Sequence, residues 1–410
     1  MSIFSRLRAS QELIVLCGAT FLVMAGQGVV SPIIPLYASD FGVSATMVGL
    51  TLTVFAFARL ILNVPAGIIA DRYGRRLLLI GGPLLTAVGM FGSGQADGIW
   101  ELLAWRFVAG AGSAFYMSGA MIYLIDIAPP EKRTRYVATN QWALSVGVAL
   151  GPGVGGVIAD AHGLSAPFTV VAVLAVLTAV YAALRLPETR SAALEEQAAA
   201  DGAAEVSAWS FIRSRPFLLV ALATATIFMT RAGTRGTMMP LHADDALAWG
   251  PAEIGLVFTL TGLLTLTTLM PAAWTADHIG RRHVILFSGV FAGLGALLVG
   301  SIATPAGFVM GNVIMSLGTG TAGPAPAAYV ADIAPPGRRG MAIAMYRSAG
   351  DVGFLAAPPL LGLLSEVTSI GFTLIVGGML AAVGGIVFFV GSLADPAAGR
   401  AATAEGPGHR

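Results

Sequence analysis

The segment YLIDIAPPEKR, from Tyr123 to Arg133, occurs a second time in this chain as YVADIAPPGRR, from Tyr329 to Arg339. The two copies are displaced by 206 residues. The same displacement carries Pro65 onto Pro271, far from either segment, so the repetition covers whole halves of the chain and is not confined to one loop. We therefore interpret the 410-residue sequence as a tandem duplication.

The composition of both halves is that of a membrane protein. Hydrophobic residues make up 56% of the chain and charged residues 11%, and the mean hydropathy is +0.80. A soluble cytosolic enzyme is not this apolar, so that class is excluded. The net charge of +1, without a basic stripe, also gives no reason to expect a nucleic-acid partner.

Twelve apolar runs are each long enough to cross about 30 Å of hydrocarbon as a helix. We number them helices 1 to 12, and they lie at about 12–38, 45–70, 77–96, 101–125, 136–159, 167–185, 216–240, 252–275, 283–302, 306–331, 341–365 and 370–394. We predict an all-α membrane protein built from two pseudo-symmetric six-helix bundles. The predicted parts are the N-terminal bundle (1–185), a cytoplasmic linker (186–214), the C-terminal bundle (215–394) and a disordered cytoplasmic tail (395–410).

The distribution of basic residues predicts the orientation. Eighteen of the 23 Lys and Arg lie near the termini, in the middle segment, or in the loops after helices 2, 4, 8 and 10. Basic residues near helix ends stay on the cytoplasmic side. We therefore expect a multi-pass protein of the cytoplasmic (inner) membrane with both termini in the cytoplasm.

The loop between helices 2 and 3 carries GIIADRYGRR, from Gly67 to Arg76, and the loop between helices 8 and 9 carries AWTADHIGRR at 273–282. This pattern resembles the signature loop of the major facilitator superfamily. A carboxylate at a helix end, a glycine turn and two guanidinium groups can form hydrogen-bonded ion pairs with a neighbouring helix end. The second copy has Ala273 in place of the expected glycine.

The resemblance implies that these residues form a conformational latch. Asp71 would abut the start of helix 11, and Arg75 would pair with Asp126 at the foot of helix 4, holding an outward-open state. The alternative is that the arginines only anchor the topology. The predicted latch residues are Gly67, Asp71, Arg72, Gly74, Arg75, Arg76 and Asp126, with Asp277, Arg281 and Asp332 in the second copy.

Helix 5 carries GVALGPGVGG at 147–156, which resembles the helix 5 pattern of proton-coupled antiporters in this superfamily. Glycines at four-residue spacing permit close helix packing, and a proline inside the helix permits a hinge. The mirrored segment keeps Pro358 but loses most glycines, and generic membrane packing is the alternative explanation. The motif residues are Gly147, Gly151, Pro152, Gly155 and Gly156.

The end of helix 1, with Pro32 and Pro35, resembles the twelve-helix drug:proton antiporter group. Many members of that group carry an acid within helix 1, and this chain has Gln27 there. Asp351 is instead the only carboxylate deep in an apolar run, eleven residues or about 16 Å after Gly340. It is the main proton-site candidate.

Two arginines are further candidates for proton coupling. Arg347 lies one turn before Asp351, and a permanently ionised pair that only ties helix 11 to a neighbour is the alternative. Arg106 in helix 4 resembles a second superfamily motif in which the arginine faces the central cavity. Its alternative role is a hydrogen-bonded strut between helices.

Arginines dominate the remaining intramembrane charges. An interior rich in arginine favours substrates that carry a carboxylate or another anion. The alternative is that each arginine is paired with carbonyl or tyrosine oxygens. The residues that we expect to line the cavity are Gln27, Arg59, Tyr116, Tyr123, Gln141, Trp142, Arg231, Asn312 and Tyr346.

These observations predict a secondary active exporter, a proton antiporter for a small amphipathic drug or metabolite that works by alternating access. A proton-coupled importer and a lipid or glycolipid flippase of the same fold are the alternatives. No catalytic, metal-binding or nucleotide-binding motif is present, so we expect neither an enzyme nor a cofactor, with the proton gradient as energy source. The expected partners are the substrate, protons and the bilayer, and a monomer is the family default.

Overall fold

The computed structural model describes residues 3–129, 132–189, 211–322, 324–334 and 339–393. Regular structure within these ranges is helical. Most of the predicted linker, from 190 to 210, and the whole predicted tail, 395–410, lie outside them.

The first six helices follow the predicted order. Helix 1 runs over Ile3–Val30 and, after a turn at 31–32, continues as Ile33–Ser39. Helices 2 to 6 are Ala45–Tyr73, Arg75–Gly94, Ile99–Ile127, Arg133–His162 and Ala166–Arg185. Most extend a few residues beyond the apolar runs, because the helices continue past the hydrocarbon into polar ends.

Helix 7 is composite: Arg215–Met229 is α-helical, Thr230–Met238 is π-helical and Met239–Leu247 is α-helical again. Helices 8 to 12 are Pro251–His278, Arg281–Ser301, Pro305–Thr321 with Pro324–Ile333, Arg339–Val367 and Ile370–Gly391. Eleven described helices are long and apolar enough to span a membrane, and helix 10 is described in two parts, on either side of residue 323. The predicted all-α, twelve-helix fold is confirmed.

The apolar runs form helices because hydrocarbon offers no partner for main-chain N–H and C=O groups, which a helix satisfies internally. Side-chain caps begin two of the helices on the predicted outer side. Thr304 accepts a hydrogen bond from the N–H of Gly307 at the start of helix 10, and Ser369 accepts one from Phe372 at the start of helix 12.

The chain divides into two compact units. The first comprises Met1–Val43, Leu50–Glu205 and Trp249–Thr259, and the second comprises Ser44–Gly49, Val206–Ala248 and Leu260–Arg410. The beginning of helix 8 thus belongs with helices 1 to 6, and the first turn of helix 2 belongs with helices 7 to 12. Each unit has its own apolar core.

Candidate functional site

The connection between helices 2 and 3 is a single glycine. Helix 2 ends at Tyr73, helix 3 begins at Arg75, and Gly74 between them has φ of 99°. Other residues rarely adopt this left-handed conformation, so the turn requires glycine. Gly280 repeats it with φ of 110° between helices 8 and 9. Both copies therefore place their arginine pair at the first two positions of the following helix.

Arg75 is the centre of the first predicted latch. Its Nε lies 3.0 Å from Asp126 Oδ2 on helix 4, and both side chains are only 5% exposed. Its Nη1 donates to the carbonyl of Ala70 at 3.1 Å, and its Nη2 lies 3.4 Å from Asp71 Oδ1. The ion pair that the resemblance implied is therefore present. The side chain of Asp71 is 73% exposed.

Glu188 is a member of this cluster that the sequence analysis missed. Its two carboxylate oxygens accept the main-chain N–H groups of Arg75 at 2.9 Å and Arg76 at 3.1 Å. The free N–H groups and the dipole at a helix N-terminus favour a carboxylate there. The next residue, Thr189, donates its hydroxyl to Asp126 Oδ2 at 3.0 Å. The start of the expected solvated linker is therefore fixed on helices 3 and 4.

The second copy is more open. Arg281 pairs with Asp332 and donates to the carbonyl of Ala328 at 2.8 Å, and the paired side chains are 18% and 30% exposed. The side chain of Asp277 lies outside the described part of the structure. The residue that corresponds to Glu188 is Ala394, so the second copy has no carboxylate at that position.

The other predicted latch residues lie at the surface. The Arg72 guanidinium is 5.4 Å from the ring of Tyr73, and Arg76 donates to the carbonyl of Ala183 at the end of helix 6. A Cβ built on Gly67 would have no described atom outside its own helix turn within 4 Å. The latch role of these residues stays a prediction.

Three glycines of helix 5 form a flat face against helix 1. Gly147, Gly151 and Gly155 recur every four residues, and a Cβ on any of them would overlap main-chain atoms of helix 1. The overlap is most severe at Gly155, whose Cβ would collide with the carbonyl of Val29. These glycines let the two backbones approach more closely than side chains would allow.

The rest of the helix 5 motif packs against the beginning of helix 8. A Cβ on Gly156 would overlap the first residues of helix 8, and a Cβ on Gly255 in helix 8 would overlap the carbonyl of Pro152. The N–H of Gly153 donates to Thr259 Oγ1 at 2.7 Å. Helix 5 therefore presents two backbone-on-backbone faces, one to helix 1 and one to helix 8.

Helix 11 repeats the second of these contacts. A Cβ on Gly362 would meet the main chain at the beginning of helix 2, and a Cβ on Gly49 would lie 2.5 Å from the carbonyl of Pro358. Glu366, near the end of helix 11, accepts the main-chain N–H of Thr46 at 2.8 Å. The duplicated halves thus preserve this contact.

Helix 11 repeats only part of the first contact. Gly353 corresponds to Gly147, and a Cβ there would overlap the main chain of Ala225 on helix 7. Ala357 and Leu361 stand where helix 5 has glycine. They pack on helix 7 at Gly233, whose Cβ, if built, would lie 2.9 Å from Ala357 Cβ and 2.7 Å from Leu361 Cδ1. Gly233 belongs to the π-helical turn.

The π-helical turn of helix 7, Thr230–Met238, was not predicted. Its N–H groups bond five residues back, as in the bond from Met239 to the carbonyl of Thr234, and the Thr237 hydroxyl donates to the carbonyl of Ala232 at 3.0 Å. Pro240 follows the turn and has no N–H to donate. Such wide turns within α-helices are frequent at functional sites.

Two predicted intramembrane arginines lie in this turn, and both are partly buried. Arg231 Nη2 donates to the carbonyl of Thr319 on helix 10 at 2.7 Å, and Arg235 Nη2 donates to Thr261 Oγ1 on helix 8 at 2.8 Å. The π-helical turn thus directs one guanidinium to each neighbouring helix.

The three proton-coupling candidates lie in two environments. Asp351 and Arg347 are both exposed and lie one turn apart on helix 11. Arg106 is 2% exposed, donates to the carbonyl of Thr51 at 3.4 Å and lies 4.5 Å from the ring of Phe55. Arg106 therefore contacts helix 2 from helix 4, as the strut alternative describes.

The predicted cavity-lining residues do not share one degree of exposure. Gln141, Trp142 and Arg59 are exposed, and Gln27 is partly buried. Tyr116, Tyr123 and Asn312 are fully buried and Tyr346 nearly so. Tyr116 forms a 2.9 Å hydrogen bond with Thr20, and Asn312 donates to the carbonyl of Phe308. Tyr116, Tyr123 and Asn312 do not line an accessible surface in this structure.

A groove of about 690 Å³ opens between helices 3, 4 and 6, away from all of these candidates. Its walls include Phe91, Val173 and Leu177. Its polar groups come from Gln95, Glu101, Trp105 and Thr169. Within the described residues, no group of three or more His, Cys, Asp or Glu side chains could hold a metal ion.

The family model of the Major Facilitator Superfamily matches residues 16–238 and 226–409. An uncharacterized MFS-type transporter of Methanocaldococcus jannaschii is 23% identical over 352 residues, which are 86% of this chain and 90% of that protein. Multidrug resistance protein 1 of Bacillus subtilis is 26% identical over 369 residues, which are 88% of this chain and 87% of that protein.

Among solved structures, a bacterial homolog of the human lysosomal transporter Spinster has a similar fold. It matches with a TM-score of 0.81 at 14% sequence identity, over 96% of this chain and 98% of that one. At this identity the likeness concerns the fold alone.

Proposed function

The chain belongs to the major facilitator superfamily, and from this membership we propose that it is a secondary active exporter that exchanges protons for a small amphipathic drug or metabolite. It is a multi-pass membrane transporter. The proposed location is the cytoplasmic membrane, with both termini in the cytoplasm, because the basic loops all fall on one side. The proton gradient is the proposed energy source, with no cofactor.

The observation that carries this proposal is the two-faced glycine motif of helix 5. Its pattern resembles that of proton-coupled antiporters, and all five motif residues take part in close main-chain contacts with helix 1 or helix 8. The resemblance of the chain to a multidrug resistance protein over most of its length is in line with export.

The same contacts support alternating access. Helix 5 meets helix 8, and helix 11 meets helix 2, mainly through glycine and proline main chain. One side-chain hydrogen bond crosses each contact, at Thr259 and at Glu366. Such surfaces can separate and re-form without changes of rotamer. We assign the switching motion to these two contacts, and the Arg75–Asp126 pair to the stabilisation of one state.

Asp351 is the proposed proton-binding group. It lies in the middle of helix 11 and its side chain is exposed, so protein atoms do not enclose it. Placing a carboxylate within the membrane costs free energy, so carboxylates found there usually belong to an ion pair or a transport path. Arg347, one turn earlier on the same helix, is close enough to modulate its charge.

The test is proton release in everted membrane vesicles challenged in turn with anionic, zwitterionic and cationic amphiphiles. We expect at least one amphiphile to release protons in wild-type vesicles, and Asp351→Asn to lose this release while it still binds the compound. Asp97→Asn, at an exposed carboxylate between helices 3 and 4 and outside both contacts, is the matched control and should behave as wild type.

The outcomes separate the parts of the proposal. Normal proton release by a folded Asp351→Asn protein would remove Asp351 from the coupling mechanism. Absence of proton release with every amphiphile, in vesicles that still accumulate one of them, would contradict antiport itself.

A lipid flippase of the same fold is the second candidate, and the groove between helices 3, 4 and 6 favours it. The groove is large enough for part of an acyl chain and its walls are mostly apolar. Apolar walls with a few polar groups suit an amphipathic lipid. Transfer of a fluorescent lipid between leaflets, without proton-coupled drug accumulation, would favour this function.

A further inference from the structure

The π-helical turn of helix 7 and its two arginines are not explained by the helix 5 and helix 11 contacts. Arg231 has one hydrogen bond as donor within the described part of the chain, to the carbonyl of Thr319, and its guanidinium lies 5.5 Å from the ring of Phe228. A guanidinium has five N–H groups. The carbonyl and the ring are neutral, so these contacts orient the positive charge of Arg231 without cancelling it.

Arg235 adds a second positive charge close by. It lies four residues further along the π-helical turn, whose hydrogen bonds span five residues, so the two side chains leave the same side of the helix. Like charges in a poorly polar interior repel more strongly than in water. The turn is therefore a region of positive potential on an apolar helix, which an anion would stabilise.

The fold itself does not require these charges. Pro35 of helix 1 corresponds to Pro240 of helix 7, and the same alignment places Gly26 and Val30 opposite the two arginines. The first half thus builds the equivalent helix with uncharged residues. A neutral glutamine could also donate to the Thr319 carbonyl, at a lower desolvation cost than a guanidinium.

We propose that Arg231 and Arg235 bind a carboxylate carried by the transported molecule, so that the substrates are amphipathic organic acids. The inference rests on the proposed export function and names its substrate class. The planar guanidinium group matches a carboxylate with two parallel hydrogen bonds.

The experiment measures binding of a matched pair of fluorescent probes to the purified full chain in detergent. The probes are dansylamino-undecanoic acid and its primary amide, which differ only in the charge of the end group. We expect the acid to bind about tenfold or more tightly than the amide, because hydrogen bonds to a charged group are the stronger kind. Arg231→Gln and Arg235→Gln should each abolish most of this difference.

Two further variants control for packing and for net charge. Arg231→Lys keeps the charge without the planar fork and should retain part of the preference for the acid. Arg213→Gln removes an exposed arginine before helix 7 and should leave both affinities unchanged. Melting temperatures in the same detergent identify variants that fail to fold, and the wild-type comparison of acid with amide does not depend on them.

Equal affinities of the wild-type protein for acid and amide would overturn the inference, as would an absence of acid binding. Equal losses of both probes in Arg231→Gln would also overturn it, because they would indicate a packing role. Proton-coupled export of neutral or cationic compounds by a protein that does not prefer the acid would leave the proposed function standing while this inference fails.

Discussion

The two halves of the chain come from one duplicated sequence, yet they use it differently. In the first half, helix 5 meets helix 1 through three glycines, and Arg75 is buried between Asp126 and Glu188. In the second half, helix 11 meets helix 7 through one glycine and two larger residues, and Arg281 pairs with Asp332 at a more open site. The first half is therefore the more tightly connected at both places.

What the halves keep in common is the contact made by the proline and the last glycine of the motif. Pro152 faces Gly255, and Pro358 faces Gly49, at corresponding positions of the duplication. The difference lies on the opposite face, where Ala357 and Leu361 crowd Gly233 and helix 7 widens into a π-helical turn. We therefore propose the shared contact for switching and the divergent face for substrate binding.

The largest expected difference between the halves concerns the two latch arginines. Arg75→Gln leaves the Asp126 carboxylate buried without its ion-pair partner, and we expect a loss of about 3–5 kcal/mol of unfolding free energy. Arg281→Gln breaks a partly exposed pair, and we expect a loss of about 1 kcal/mol or less. Unfolding by sodium dodecyl sulfate in mixed micelles measures both. Equal losses would contradict the asymmetry.

Much of this asymmetry could be predicted from the sequence, but not all of it. The twelve apolar runs gave the helices, and the resemblance gave the pairing of Arg75 with Asp126. Glu188 was missed because it begins the polar segment that was predicted, from its composition, to be a solvated linker. Its signal was a carboxylate three residues after the last residue of helix 6, where it can reach a neighbouring helix N-terminus.

The positions of Tyr116 and Tyr123 could not be predicted for a different reason. Helix 4 is apolar all round, so its sequence does not distinguish the face that packs from the face that lines a path. The π-helical turn likewise has no signal of its own, because Gly233 and the following Pro240 have counterparts in helix 1, Gly28 and Pro35. Helix 1 bends at 31–32 instead.

The next effect tests whether the first half needs its glycine face. Gly155→Leu places in helix 5 the residue that helix 11 has at Leu361, and the side chain would collide with the main chain of helix 1. We expect a loss of about 3 kcal/mol, the upper end for overpacking, and a lower melting temperature in detergent.

Gly81→Leu is the matched control, because a Cβ at Gly81 would have no described atom outside its own helix turn within 4 Å. We expect Gly81→Leu to keep the wild-type melting temperature. Equal melting temperatures of Gly155→Leu and Gly81→Leu would contradict the close packing of helix 5 on helix 1 at Gly155.

A smaller effect is expected at the helix 3 N-terminus. Glu188→Gln keeps the shape of the side chain but removes the charge that two main-chain N–H groups and the helix dipole stabilise, and we expect a loss of about 1 kcal/mol. Glu366→Gln, which changes a solvent-exposed carboxylate that accepts one main-chain N–H, should cost less. The same unfolding titration compares the two losses of unfolding free energy. A larger loss in Glu366→Gln would contradict the prediction that Glu188 is the stronger cap.

The smallest effect on stability is expected at the glycine that the second latch lacks. Gly67→Ala introduces a methyl group into open space, and alanine is the better helix former by up to about 1 kcal/mol, so the folded protein should be as stable as wild type or slightly more so. The reciprocal change, Ala273→Gly, should lower stability by a similar amount.

Measurements of transport show whether Gly67 and Ala273 matter beyond stability. If Gly67 is needed for close packing in another state of the transport cycle, Gly67→Ala will slow proton-coupled flux in vesicles although its melting temperature is unchanged. Ala273→Gly should leave the flux as it is, because the second copy already functions with a methyl group at that position. Unchanged flux in Gly67→Ala would mean that the glycine is dispensable. The first latch would then act through the buried charges of Arg75 and Asp126, which also bond to the Ala70 carbonyl and the Thr189 hydroxyl.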